Sequence, residues 1–214
     1  MVDFELTEEQ QMMRDSVGGF ARDEIRPAAR PADESGTIPD DLIAKAWQLG
    51  LVRSVIPEQF GGDGGDRSAV TGAIVAEELA YGDFSIALHM LAPRLLAFPV
   101  LEMGTDEQKA RHLKQFAQDQ FVPATAAVME PHWDFDLMAL SATARKDGRA
   151  WVLNGAKCCV PVAEQSGTIL VYAASNGQNG FKGVDAFLVP RDCEGLTIGG
   201  REMNMGLKPL PTFE

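Results

Sequence analysis

The reading of this chain turns on Val128–Pro161, VMEPHWDFDLMALSATARKDGRAWVLNGAKCCVP. It opens on Val128-Met129-Glu130-Pro131 and passes through a short acidic-aromatic loop. Two strand-like runs follow, Ser141–Arg145 and Ala150–Leu153, around the dipeptide Asp147-Gly148. A second dipeptide, Asn154-Gly155, leads into Ala156-Lys157-Cys158-Cys159-Val160-Pro161. Asn-Gly and Asp-Gly accept the positive φ of tight turns, so the stretch reads as strands. Further strand signals lie at Ala124–Met129, Thr168–Ala173, Val184–Val189 and Gly195–Ile198. Short strands with frequent turns predict an antiparallel barrel or sandwich.

Upstream the pattern is helical. Thr7-Glu8-Glu9-Gln10 has capping-box spacing, with acids where they suit the helix dipole. Met13, Val17, Phe20, Ala21 and Ile25 then form an apolar stripe. Gly18-Gly19 inside it costs about 1 kcal/mol each relative to alanine, which predicts close packing against a neighbour. Arg26-Pro27 is expected to end this helix, because the residue before proline is pushed out of the helical region. A second helix starts at Ile38-Pro39-Asp40-Asp41, buries Leu42, Ile43, Ala46 and Leu49, and stops at Gly50. Ser68–Tyr81 is a third. Ser85–Met103 is apolar nearly all round and predicts a buried helix broken or kinked at Pro93 and Pro99. A second capping box, Thr105-Asp106-Glu107-Gln108, opens a helix through Leu113 and Phe116. The expected fold class is α+β, with an all-α bundle over residues 1–121 and a small antiparallel β-barrel or sandwich over 122–214.

Composition narrows the function. The 214 residues carry a formal net charge of -12, which opposes binding to phosphate backbones and to anionic lipid. No apolar run is read as approaching the ~20 residues of a bilayer span. Met1–Glu5 is acidic and lacks the basic and apolar regions of a signal peptide, so a cytoplasmic location is expected. Cys158, Cys159 and Cys193 have no framework or zinc spacing and read as packing thiols, with no metal site. The glycine-rich Phe60–Asp66 lacks the Lys-Ser/Thr of a phosphate loop and carries two aspartates, which reads as a flexible turn. His89, without a ligand-type residue at i+4, reads as a buried, hydrogen-bonded histidine.

Several segments then line up in order. They are Pro57-Glu58-Gln59-Phe60-Gly61-Gly62, Glu77-Glu78-Leu79-Ala80 followed by Asp83, and Gly104-Thr105-Asp106-Glu107-Gln108-Lys109. After these come Glu130-Pro131 ahead of Asp136, Asn154-Gly155-Ala156-Lys157, and Met205-Gly206-Leu207-Lys208 with Pro211-Thr212. Together they resemble the acyl-CoA dehydrogenase family along nearly the whole chain.

The resemblance implies FAD lying against the β-domain and a C-terminal helical bundle. A carboxylate base takes the α-proton of an acyl-CoA thioester while the β-hydride passes to flavin N5. It places Ala127, Val128, Met129, Phe135, Cys159, Val160 and Pro161 at cofactor positions, with Phe135 also at a substrate position. Partners implied are an acyl-CoA and a like or unlike subunit of the same family.

This sequence departs from the family pattern in its chemistry. The hydroxyl residue before Glu-Pro is Met129. The small glycine-rich loop with its serine is His132-Trp133-Asp134-Phe135, which sets Asp134 where a diphosphate is expected. The Trp-Ile-Thr/Ser motif is Cys159-Val160-Pro161, and proline offers neither hydroxyl nor N–H. The sequence ends at Phe213-Glu214, in a segment that the family continues, and the base-bearing bundle is absent from it. No catalytic residue is therefore assigned; Glu130 and Glu164 read as solvated or turn-stabilising carboxylates. A piece ending at Glu214 is expected to expose apolar surface and to associate. The expected function is FAD-dependent α,β-dehydrogenation of an acyl-CoA. The alternatives are a flavin-site-degenerate partner subunit of a hetero-oligomeric dehydrogenase, and a non-redox assembly module.

Overall fold

The computed structural model describes residues 5–175, 177 and 180–214, so Met1–Phe4 of the N-terminal reading lie outside it. The chain forms two compact units. One holds the chain up to Leu91, Pro99–Val122 and Asn204–Leu210; the other holds Ala92–Phe98, Pro123–Met203 and Pro211–Glu214.

The first unit is helical. Helix α1, Glu8–Phe20, begins at the predicted capping box, with the Thr7 hydroxyl and the Gln10 amide closing it reciprocally. It does not stop at Arg26-Pro27. A π-helical turn, Ala21–Ile25, runs straight into α2, Arg26–Ser35. The i→i+5 step lets the Arg26 N–H donate to the Ala21 carbonyl, and Pro27 follows where the π turn gives way to α2. Gly36, at φ 72°, ends the run.

Helix α3, Asp40–Gln48, stops ahead of Gly50 as expected. Helix α4, Ala69–Gly82, crosses α1 so closely that a Cβ on Gly18 would sit 2.7 Å from Glu78 Oε2. The predicted close packing at Gly18 thus has a partner, whereas Gly19 has open space. Val17, Ala21, Ile25, Val75, Leu79, Ile86 and Met90 form the core between these helices.

Phe84–Met103 breaks at Ala92-Pro93 into α5, Phe84–Leu91, and α6, Arg94–Met103, whose interior Pro99 does not end it. Contrary to the sequence reading, this is a stretch of 20 residues, holding an 18-residue window of mean hydropathy 1.6, long enough to span a bilayer. It is mostly buried in the fold, which is how a core helix meets the same test. Helix α7, Asp106–His112, starts at the second capping box.

Residues 60–66 form a turn tied back to the segment before it. The amides of Asp63, Gly64 and Gly65 donate to the carbonyls of Arg53, Ile56 and Ser54 at 2.8–3.2 Å. Those N–H groups are spent, which removes the donors a phosphate cradle needs.

The second unit is built on a five-stranded sheet. Its strands are β1 (Thr125–Ala127), β2 (Thr143–Asp147), β3 (Ala150–Asn154), β5 (Thr168–Ala174) and β6 (Val184–Pro190). β2–β3 is the hairpin expected at Asp147-Gly148, with Asp147 opposite Ala150.

The α+β order stands, but the sheet is mixed rather than purely antiparallel. β1 pairs with β5 in parallel, Thr125 opposite Ile169, while β6 closes antiparallel on the other side of β5. The long connection from β1 to β5 permits the parallel pairing, which a short hairpin would forbid. Two short strands, β4 (Val160–Pro161) and β7 (Thr212–Phe213), pair separately. Gly195–Ile198 is not a strand; Leu196 and Ile198 instead pack on the cluster of Ala127, Val160, Ala163, Ile169 and Phe213.

Candidate functional site

The site is assembled where β1 ends and where the chain leaves β3. Glu130, 3% exposed, is its anchor. Its Oε1 accepts from Lys157 Nζ at 2.9 Å and from the Ala142 amide at 2.8 Å. Its Oε2 accepts from the Ser141 amide at 2.7 Å and lies 3.0 Å from His132 Nε2. Lys157 Nζ also donates to the Val128 carbonyl at 3.0 Å, and the Cys158 amide donates to the Met129 carbonyl at 2.9 Å.

One buried ion pair therefore binds together the exit of β1, the loop that follows, the start of β2 and the segment after β3. Burial alone would push the Glu130 carboxyl up. The hydrogen bonds from Lys157, the Ala142 amide, His132 and the Ser141 amide outweigh it and hold the group at about 2. A carboxylate so saturated is a structural anchor and a poor base.

His132 sits between two carboxylates, with Nδ1 3.2 Å from Asp134 Oδ1 and Nε2 between Glu130 Oε2 and Ser141 Oγ at 3.1 Å. The Ser141–His132–Asp134 order resembles a nucleophile relay. However, a relay needs an Nε2 free to accept from the serine, and here that nitrogen also faces the Glu130 carboxylate at 3.0 Å. Its hydrogen bond to Glu130, with further help from Asp134, raises the His132 pKa.

The cofactor positions read from the sequence fall into two groups. Ala127 and Val160 are buried and line an apolar cavity of about 630 Å³, along with Lys157, Ile169, Leu196 and Ile198. Met129, Phe135, Cys159 and Pro161 lie outside that lining. Val128 and Met129 run beside Lys157 and Cys158 through the two bonds given above. Met129 is 45% exposed, the Phe135 ring lies tilted to that of His132 with centroids 6.3 Å apart, and Pro161 stands opposite Thr212 in the β4–β7 pair. Cys159 adopts φ 53° and gives its amide to Glu202 Oε1 at 3.1 Å.

The cysteines are not packing thiols: Cys159 and Cys193 are exposed and Cys158 is half-buried. Burial and the neighbouring Cys159 raise the Cys158 thiol to about 11, which makes it a weak nucleophile. In the helical unit His89 is buried as expected, yet both its ring nitrogens lack a partner among the described residues.

Sequence reasoning missed the work of His132, Ser141 and Glu202. For the Glu130–Lys157 pair a signal existed, since both lie in the motifs quoted above. For His132 the only signal was its flanking acids, Glu130 and Asp134.

The chain matches the acyl-CoA dehydrogenase N-terminal domain over residues 7–120 and the acyl-CoA dehydrogenase middle domain over residues 125–214. It belongs to the acyl-CoA dehydrogenase family. It is 34% identical over 206 residues to cyclohex-1-ene-1-carbonyl-CoA dehydrogenase of Geobacter metallireducens, covering 95% of this chain and 53% of that protein. Among solved structures, a glutaryl-coenzyme A dehydrogenase in complex with glutaryl-CoA superposes with TM-score 0.85 at 29% identity, covering 99% of this chain and 54% of that one. Butyryl-CoA dehydrogenase from Megasphaera elsdenii gives 0.83 at 26% identity, covering 99% and 56%. The chain spans about half the length of the curated relatives it matches.

The donor set at the positions that the resemblance assigns to flavin does not fit the cofactor that the family implies. Met129 presents a thioether, Phe135 a hydrocarbon ring, and Pro161 neither hydroxyl nor N–H. The Cys159 amide is already committed to Glu202. Asp134, nearly fully exposed, adds negative charge to the loop.

Proposed function

We propose that this chain supplies the N-terminal and middle regions of an acyl-CoA dehydrogenase-type protein serving α,β-dehydrogenation of an acyl-CoA thioester. The carrying observation is the Glu130–Lys157 pair, which fixes the exit of β1 against the Lys157–Pro161 segment. Those are the two stretches that the family resemblance assigns to cofactor and substrate, and a 2.9 Å ion pair ties them together.

The side chains on that backbone favour a second reading. With Met129, Phe135 and Pro161 in place of hydroxyl residues, the chain acts as a flavin-site-degenerate subunit. Flavin and the proton-abstracting carboxylate then belong to an unlike partner of the same family.

The test is the visible absorption spectrum of the purified protein, before and after incubation with FAD, alongside an acyl-CoA dehydrogenation assay. A colourless protein that stays colourless, and is active only with an unlike subunit, supports the degenerate reading. A stoichiometric flavin band on this protein alone overturns it in favour of a self-contained dehydrogenase. A colourless protein that restores activity to no family partner overturns the dehydrogenation reading itself.

A further inference from the structure

We propose that His132 is the positioning residue of the loop between β1 and β2, an imidazolium clasp that pins the loop tip when protonated and releases it when neutral. The proposal rests on geometry and does not depend on whether flavin binds.

Both ring nitrogens face carboxylates, Nδ1 at 3.2 Å from Asp134 and Nε2 at 3.0 Å from Glu130. A neutral imidazole carries one proton and one lone pair. Whichever tautomer forms, one lone pair points at a carboxylate oxygen, so only the imidazolium satisfies both contacts. The Ser141 hydroxyl, 3.1 Å from Nε2, can donate to a neutral ring but cannot repair the clash with Glu130.

Among the described residues, few charged groups face His132. Glu130 and Asp134 come from its own loop. Lys157, from the segment after β3, reaches it only through Glu130. With His132 charged, the cluster of Glu130, Asp134, Lys157 and His132 is neutral. With His132 uncharged it carries one net negative charge, and Asp134 loses its contact.

Glu130 keeps Lys157 and two backbone amides in either state, so the inner end of the loop stays anchored. Deprotonation frees the outer part, which carries the fully exposed Trp133 and the half-buried Phe135. The loop is thereby coupled to pH above the range where an unperturbed histidine titrates, because the hydrogen bond to Glu130 and the contact with Asp134 favour the charged ring.

Hydrogen exchange of amides 132–140 in the purified protein, corrected for intrinsic rate across pH, reads the clasp. The hairpin 143–154 serves as internal reference, and ring NMR of the three histidines places the His132 midpoint. Loop protection is expected to fall about tenfold as pH rises through that midpoint, the scale of one charge-assisted hydrogen bond, while the hairpin does not change. Asp134→Asn is expected to lower the midpoint and to move the protection curve with it. His132→Gln is expected to remove the pH dependence.

Loop protection that is flat across the wild-type midpoint overturns the proposal, as does the same loss in His132→Gln. If His132→Gln does not fold, Asp134→Asn decides alone. A midpoint and a protection curve that move together support the clasp, and a protection curve that stays put overturns it.

Discussion

Glu130 accepts from four groups while 97% of its surface is removed from water, and Lys157 neutralises it. Removing one partner of such a pair leaves a buried charge, at a cost of about 3–5 kcal/mol. Lys157→Met is therefore expected to destabilise the β unit by about 3 kcal/mol in chemical denaturation, since two amides and His132 still serve the carboxylate. Adding Glu130→Gln is expected to cost less than the sum of the single changes, because the second substitution removes the stranded charge. The pH profile carries the same signature. A carboxyl held at about 2 in the fold contributes stability that is fully present above its ordinary value of 4.5. That contribution is lost as pH falls from there towards about 2. Lys157→Met raises the folded value and moves the loss to higher pH. A cost below about 1 kcal/mol, the scale of an exposed pair, would contradict the anchor role.

At the scale of elements, the site depends on how the chain leaves β3. Gly155 sits at φ 152°, and a Cβ there would lie 2.6 Å from the Ala142 Cα and Cβ. Gly148, in the β2–β3 turn, has φ 60° but open space around it. Gly148→Ala is expected to cost about 1 kcal/mol from backbone strain alone, and Gly155→Ala at least about 2 kcal/mol more from the clash. Thermal unfolding of the two variants compares them directly; equal losses would mean that the Gly155–Ala142 approach does not constrain the fold. Gly148 was legible in the sequence as a turn signal, and so were the two capping boxes and the β2–β3 hairpin, because each rests on chemistry local in the chain. Asn154-Gly155 reads as a tight turn too, but the chain leaves β3 there without one. The continuation through Pro27 was not legible, since a π-helical turn leaves no mark in apolar spacing. Nor was the parallel β1–β5 pair, which joins strands about forty residues apart. Within the site, the positions of Met129, Phe135 and Pro161 came from motif order. The clasp at His132 did not, because it depends on a loop turning its ring back between Glu130 and Asp134.

On the scale of the whole molecule, the two units carry histidines that respond to acid in opposite senses. His132 has a raised pKa, so its contribution in the β unit is fully present below the ordinary value of 6.5 and is lost as pH rises through the folded value. His89 is 4% exposed, stacked on Phe121 at 5.5 Å, and has no polar partner among the described residues. Burial lowers it to about 4. For this base the neutral form suits the fold, so the stability it lends is fully present above 6.5 and is lost as pH falls from 6.5 to about 4. The full linkage is on the order of 3 kcal/mol. His89→Leu replaces the ring with an apolar side chain that needs no partner, and it is expected to flatten the acid side of the helical unit's stability curve. The measurement is denaturant unfolding followed by helix-sensitive circular dichroism at pH 7.5 and pH 4.5. The wild-type protein should lose more stability between the two than His89→Leu, by up to about 3 kcal/mol. The same loss in both proteins would show that His89 finds a partner for its proton, and that the acid weakness of the helical unit arises elsewhere.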